Sequence, residues 1–363
     1  MASKETSALT AAAALDGSEL VAIVQGGNSR KATAAGISAG AAGLVTGTPG
    51  TGSATPTTPA RGFSRASRLL SAQFGLFLYT DGSAWELSYG YFNGTTITRP
   101  AGGFVASSTG SQLSLTSAAT VALVADGWLS LDRRECNRGL TYYGAGGAPY
   151  EIGVNTGSAN GTLAASNLAS TNILTKQARS KFTSATTANA LGGVSCNTGG
   201  TAGHMMRSTT AGTGGFHLYA LWGASQLPTG PRLFVGAVDT GYSTADPSTI
   251  VANFAGFSKD EADTNIQFLT NDASGSGNKT DTGIAWAANN WYETHVFCAP
   301  GATSVQGVIC DWGNGVVFYT STTSNLPVDN ANMGLMVRGG LNGTNTGTAI
   351  IVEVGALMSK AGQ

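Results

Sequence analysis

Charge is what this sequence has least of. Lysine and arginine together number 19 and aspartate and glutamate 20 in 363 residues, for a net charge of −1. Charged residues are 11% of the chain, against roughly 25% in an ordinary soluble domain. So even a balance leaves no excess of Lys and Arg to gather phosphates or anionic lipid, and neither nucleic acid nor a membrane surface is an expected partner. No apolar run reaches the roughly 18 residues of a membrane span, so membrane insertion is not expected either. The opening stretch carries an acidic residue at Glu5 and no long apolar core, which argues against a secretory signal.

Cysteine and histidine are equally sparse. Cys136, Cys196, Cys298 and Cys310 include no C-x-x-C pair. Four thiols in a chain this long make no disulfide framework, and free, mostly buried thiols in a protein made in a reducing cytosol are expected. A Cys298–Cys310 bridge across a hairpin is the minor alternative. His204, His217 and His295 show neither HExxH nor other paired-ligand spacing, so no metal and no cofactor are expected. There is no G-x-S-x-G elbow and no Walker A motif. Gly144-Ala145-Gly146-Gly147 has no helix after it to present a positive dipole end, and reads as a flexible loop. Paired carboxylates for glycoside cleavage would have to come from Asp260, Glu261 and Asp263, or from Asp239 and Asp246. Their spacing singles out no pair; they read as solvated loop charges, and no enzymatic activity is expected.

What the chain has in quantity is glycine, 52 residues, about twice the usual ~7%. Apolar residues make up 42% and mean hydropathy is +0.05, enough for a packed core. Few charges with much Gly, Ser, Thr and Asn suit a rigid β protein with uncharged polar faces. They also suit a protomer that hides surface in an assembly.

Five segments follow from the pattern. In residues 1–40, Leu20–Val24 is a strand-like run, Gly26-Gly27-Asn28 a hairpin signal and Ser29–Thr33 a returning strand. An isolated hairpin is marginal in water, so this piece borrows a core from a neighbour. Residues 41–60, with Pro49, Pro56 and Pro59, read as an extended linker. Residues 61–127 read as a small antiparallel meander. Leu76–Thr80 leads into an Asp81-Gly82 turn and the alternating strand Trp85–Tyr91; an Asn93-Gly94 turn, Thr95–Arg99, Leu113–Leu115 and Thr120–Val124 follow. Residues 128–165 are an irregular connector. Residues 166–363 hold strand runs at Phe216–Trp222, Arg232–Val238, Asn265–Thr270, Trp291–Phe297, Ser304–Cys310, Val316–Thr320 and Thr348–Val354. Turns at Pro228–Gly230, Ser274–Asn278, Pro300-Gly301, Asn314-Gly315 and Asn342-Gly343 separate them. Seven or more strands so punctuated predict a β-sandwich of jelly-roll type, and the whole chain is expected to be all-β. Asp260–Asp263 is expected to form one helical turn.

Aromatic residues are the candidate ligand contacts. Trp286, Trp291 and Trp312 flank turns, with Tyr242 and Tyr319 in the same region. Exposed rings stack on sugar faces, so Tyr242, Trp286, Trp291 and Trp312 are the candidate glycan-binding residues. The competing reading is that strand tryptophans fill the core.

Several stretches resemble tailed-phage virion proteins. Asp16–Gly27 followed by Arg30–Thr33 is similar to a segment at the start of phage tail fibres and related appendages. Asp81–Gly90, Ile97–Pro100 and Val105–Ser111 resemble a small β module of phage structural proteins. Gly215–Tyr219, Arg232–Gly236 and Asn253–Phe257 resemble a jelly-roll module from the distal end of phage fibres. The resemblance implies a virion protein made in the host bacterial cytoplasm. It implies attachment to other virion proteins of tail, baseplate or capsid through Asp16, Glu19, Leu20, Val24, Gln25, Gly26 and Gly27. It implies a homotrimer, and a sandwich displayed toward a host-surface glycan. A capsid head fibre or decoration protein is the alternative, and a polysaccharide-degrading enzyme a more distant one.

Overall fold

In the computed structural model of the protein, residues 20–25, 28–33, 45–46, 53–54, 73–92, 97–116, 119–126, 141–143, 158–195, 205–239 and 244–361 are described. Among them no α-helix occurs; strands and short 3-10 turns are the only regular elements. The strand pairs are antiparallel throughout.

The first pair, β1 (Leu20–Gln25) and β2 (Asn28–Thr33), forms the expected hairpin, with Gln25 opposite Asn28. A second sheet joins β3 (Val45–Thr46), β4 (Ser53–Ala54), β5 (Gln73–Asp81), β6 (Ala84–Phe92), β7 (Ile97–Thr98), β8 (Phe104–Ser107) and β9 (Thr120–Asp126). Asp81 stands opposite Ala84 in the β5–β6 hairpin, and Gly82 takes φ +62°, which a glycine adopts without strain. Phe77, Tyr79, Ile97, Leu113, Leu115 and Val121 make this module's small core.

The large body is two antiparallel sheets face to face. In the first, the order is β12 (Thr162–Ser166), β13 (Arg179–Thr183), β24 (Ile351–Ala361), β15 (Phe216–Gln226), β20 (Asn290–Cys298), β21 (Val305–Asp311) and β22 (Val316–Thr322). β10 (Thr141–Tyr143) also pairs with β24. The second runs β11 (Ser158–Asn160), β14 (Leu191–Ser195), β23 (Gly334–Gly340), β16 (Arg232–Val238), β17 (Asn253–Lys259), β18 (Asn265–Asp272) and β19 (Asn278–Ala285). Period-two alternation sends Leu218, Ala220 and Trp222 of β15 and Tyr292 and Val296 of β20 inward. There they share one buried cluster with Val235, Ala237, Phe257, Phe268 and Val337 of the second sheet. Trp222 stacks on Tyr292 at 4.9 Å. Each such side chain contributes ~1.5–3 kcal/mol by leaving water.

The sandwich also has a covered outer face. Phe74 of β5 packs with Val308 and Cys310 of β21 and Val317 of β22, and Tyr89 and Tyr91 of β6 pack against the same cluster. The small module therefore uses one face of its sheet for its own core and the other for the sandwich. At Gly103 the approach is too close for a side chain: an added Cβ would lie 2.5 Å from the Tyr89 carbonyl oxygen and 2.9 Å from Val317 Cγ1.

The all-β architecture and the jelly-roll sandwich are as the pattern predicts; several details differ. The stretch read as a linker lends β3 and β4 to the module's sheet, pairing with β9 and β7. The module is no simple meander, because β9 returns to the free side of β5. Leu113–Leu115 is no strand; Leu113 and Leu115 plug the module core from a loop. The stretch read as a connector contributes β10, β11 and β12, so the sandwich begins before residue 166. Asp260–Asp263 is a hydrogen-bonded turn rather than a helical one. Cys298 and Cys310 are free thiols, and the pleat puts them on opposite faces: Cys298 in the interior, Cys310 under the module. The strand at Thr348–Val354 starts later, at Ile351, and runs to Ala361.

Candidate functional site

Strand β20 reads Asn290-Trp291-Tyr292-Glu293-Thr294-His295-Val296-Phe297-Cys298. With its even members committed to the interior, Trp291, Glu293, His295 and Phe297 line the outer face. Pairing with β15 and β21 sets these in rows. His217, Phe297 and Gln306 stand side by side, then Tyr219, His295 and Val308, then Leu221, Glu293 and Cys310. The small module packs on Cys310 of the third row and Val308 of the second. Its Tyr89 forms one wall of a pocket of about 240 Å³ whose other lining residues are His217, His295, Phe297, Gln306 and Val308.

Diagonal neighbours on adjacent strands are within reach of long side chains, and here two imidazoles meet. His217 Nε2 lies 3.3 Å from His295 Nδ1, with the rings stacked at 5.5 Å. His295 Nε2 lies 3.1 Å from Glu293 Oε1. The other carboxylate oxygen accepts from Trp312 Nε1 at 3.2 Å. Glu293 is 2% exposed, so its oxygens meet these groups rather than water. Phe297 is 40% exposed and stands edge-on to His217 at 6.0 Å. Tyr89 stacks on Tyr319 at 6.1 Å. Burial, then the proximity of Cys310, Tyr319 and Glu293, pushes the Tyr89 phenol well above its usual range. Burial does the same to the Cys310 thiol. The walls of the pocket are thus neutral aromatic and aliphatic groups, with imidazoles and one amide for polar contact.

The residues singled out from sequence fall elsewhere. Trp286 is 8% exposed in the sandwich interior, edge-on to Trp222 at 6.0 Å. Trp291 is 0% exposed, packed with Leu174, Tyr219, Leu221 and Met358 on the outer face. Neither offers a ring to a ligand: Trp286 turns into the interior just after β19, and Trp291 of β20 lies under the outer cluster, where burial takes each ring out of water. Trp312 is half-buried, 6.2 Å from Phe74, with its indole N–H committed to Glu293. Tyr242 and His204 lie outside the described residues. Of the attachment residues, Leu20, Val24 and Gln25 lie in β1; Asp16, Glu19, Gly26 and Gly27 lie outside the described residues.

The carboxylates weighed for glycoside cleavage lie in loops, several of them partly exposed, and each is hydrogen-bonded or ion-paired. Asp239 accepts from Asn253 N at 3.1 Å and from its Nδ2 at 2.5 Å. Asp246 pairs with Arg232 at 2.7 Å, and Glu261 with the same guanidinium at 3.2 Å. Lys279 bridges Asp260 at 2.9 Å and Asp263 at 2.6 Å. These bonds tie loops of the second sheet together.

Fold and surface define an all-β protein built on a covered jelly-roll sandwich. No family model matches the chain, and no curated protein does. Solved structures of β-sandwich proteins are similar to it. A protein of unknown function from Shewanella oneidensis matches at 14% identity over 62% of this chain and 86% of that chain, TM-score 0.40. Peanut lectin matches at 10% identity over 62% and 98%, TM-score 0.39. A carbohydrate esterase of the Shiga toxin-encoding bacteriophage phi24B matches at 12% identity over 57% and 90%, TM-score 0.34.

Proposed function

We propose that this chain is a non-enzymatic virion appendage of a tailed phage, a tail fibre that joins the particle through residues 1–40 and presents its sandwich to a host-surface glycan. The observation that carries the glycan part is the pocket where the small module meets the sandwich. An open ring, Phe297, stands beside an amide, Gln306, and an imidazole, His217. A sugar offers complementary chemistry: an apolar ring face for the aromatic and hydroxyls for the polar groups. Affinity at one such pocket is weak, and the homotrimer expected from the resemblance raises it by presenting several at once.

The carboxylates bound in clamps support the non-enzymatic reading, since general acid–base work needs a group free to exchange its proton. The test is adsorption: purified chain is mixed with host cells before virus is added. Competition by the native protein, and its loss in Phe297→Ala, is expected; unimpaired adsorption at saturating protein would refute glycan attachment.

A second reading is favoured by the burial of Trp286 and Trp291, which removes rings that a receptor surface would use. In it the chain is a head fibre or decoration protein whose sandwich serves the shell. Antibody raised against the sandwich marks the tail under the first reading and the capsid under the second.

A further inference from the structure

We infer that the pocket beside Tyr89 takes the acetamido group of a 2-acetamido sugar, its amide paired with Gln306 and its methyl set against Phe297 and Val308. The inference rests on the glycan reading above and names the class of glycan.

The register of β21 brings the two halves of this recognition together. Gln306, Val308 and Cys310 are its outward members, and the module packs on Val308 and Cys310. Gln306 is therefore the first outward member beyond that contact. It stands opposite Phe297 of β20, and Val308 follows two residues on. Residues two apart on a strand share a face at about 7 Å, so an amide, an open ring and an aliphatic group fall within reach of one small substituent. Gln306 is half-buried, and its side-chain amide has no hydrogen-bond partner among the described residues. It offers two N–H donors and a carbonyl acceptor. The imidazole nitrogens of His295 are already met: Nδ1 lies 3.3 Å from His217 Nε2, and Nε2 lies 3.1 Å from Glu293. Polar recognition in the pocket falls chiefly to Gln306.

That composition selects among sugar substituents. A plain hexose would bury hydroxyls against Phe297, Val308 and the Tyr89 ring, where carbon meets them and their desolvation goes unrepaid. A 6-deoxy sugar brings a methyl for these walls and nothing for the amide. A uronic acid brings a charge, and no lysine or arginine lines the pocket. The acetamido group carries a methyl, an N–H and a carbonyl in one planar unit. Gln306 can donate to that carbonyl or accept from that N–H, while the methyl leaves water against the apolar wall. The volume, about 240 Å³, lies below the ~300 Å³ at which sites for larger ligands begin. It suits one substituent and the edge of its ring.

The experiment is calorimetric titration of the full chain with methyl glycosides that differ in one group: 2-acetamido, plain hydroxyl, 6-deoxy and uronic acid, in the gluco and galacto series. In at least one series the acetamido sugar is expected to bind about tenfold tighter than its hydroxyl parent, the ratio given by burying one methyl and making one more hydrogen bond. Magnetic saturation passed from the protein to this sugar should be strongest at the acetyl methyl. Gln306→Leu removes the amide at a half-buried strand position and should bring the acetamido sugar down to its parent; Phe297→Ala should weaken both alike. Equal affinity of acetamido and parent sugars in both series overturns the inference and leaves the glycan reading standing. Tighter binding of the 6-deoxy sugar or the uronic acid does the same. A preference that survives Gln306→Leu places the acetamido group elsewhere and overturns it too. Failure of every sugar to bind also overturns it, and a simultaneous failure to compete for host cells removes the glycan reading as well.

Discussion

His217 and His295, 78 positions apart in the chain, bring Nε2 and Nδ1 to 3.3 Å on neighbouring strands, and Glu293 anchors the pair from below through His295 Nε2 at 3.1 Å. The anchor holds two donors at once. Glu293→Ala would leave the buried His295 Nε2–H without its acceptor, at a cost of about 1–3 kcal/mol, and the half-buried Trp312 Nε1–H without its own at a smaller one. We expect the variant to lose roughly 2–4 kcal/mol of unfolding free energy in guanidinium titration, with a changed near-ultraviolet signal from Trp312. Glu293→Gln keeps one oxygen and should lose less than half as much. A Glu293→Ala protein as stable as the native one would show that the donors find water instead.

Strand positions were legible in the sequence; the pairing that makes the pocket was not. Strand-like runs between turn residues located β15, β16, β18, β20, β21 and β22. β17 carries Gly256, and β23 carries Gly334, Gly339 and Gly340, which break up such a run. His217 and His295 each sit at an outward position, a placement their own strands encode. That they meet depends on β15 lying beside β20 rather than β16, a choice made by the whole sheet. That Trp286 and Trp291 take the core-filling alternative has the same root. Sequence shows which face of a strand a ring leaves by, and not what layer covers that face. In β6 the alternation even points the wrong way: the apolar members Tyr89 and Tyr91 face the sandwich, while Glu86 and Ser88 are 0% exposed inside the module.

That inversion makes the module's stability depend on one ion pair. Arg99 reaches Glu86 at 2.5 Å with both side chains fully enclosed, and it also donates to the Leu113 carbonyl at 2.7 Å, with its guanidinium 5.1 Å from the Tyr79 ring. Glu86 additionally accepts from Ser88 Oγ and from Leu113 N, each at 2.6 Å. Removing one partner strands a buried charge, which costs about 3–5 kcal/mol, whereas replacing both by apolar groups is often neutral. Glu86→Leu and Arg99→Met alone should each unfold the module at lower denaturant, and the double variant should recover most of the loss. A simple sum of the two effects would mean that the pair is not coupled.

The seam between module and sandwich yields a third prediction. Phe74→Ala removes a ring buried against Val308, Cys310 and Val317 and should cost about 3–5 kcal/mol in the docked state. Gly103→Ala sets a Cβ against the module's own Tyr89 carbonyl and against Val317 of the sandwich, and should strain the module and loosen its seam together. For both variants, amide exchange in Val308–Cys310 and in Val317 should accelerate, while Val235 and Val337, in the sandwich interior, stay protected. Unchanged exchange at β21 would mean that the module contributes nothing to the sandwich's outer face.

Alkaline titration tests the interior itself. Burial raises the Cys298 thiol from 9.0 to about 11 and the Tyr292 phenol from 10.0 to about 12. Both groups are neutral when protonated, so the folded protein keeps these protons after the unfolded chain has released them. In the window from 9.0 to about 11 for Cys298, and from 10.0 to about 12 for Tyr292, the unfolded state binds fewer protons than the native one. Stability must then fall as pH rises, and the fall begins at the unfolded values rather than the folded ones. The melting temperature should be level between about pH 7 and 8.5 and decline from about pH 9 upward. Cys298→Ala should lessen the first part of that decline, to which the buried Cys310 thiol also contributes, and leave the part above about pH 10, where Tyr292 and the other buried phenols act. A decline of unchanged slope in Cys298→Ala would assign the early loss to other groups.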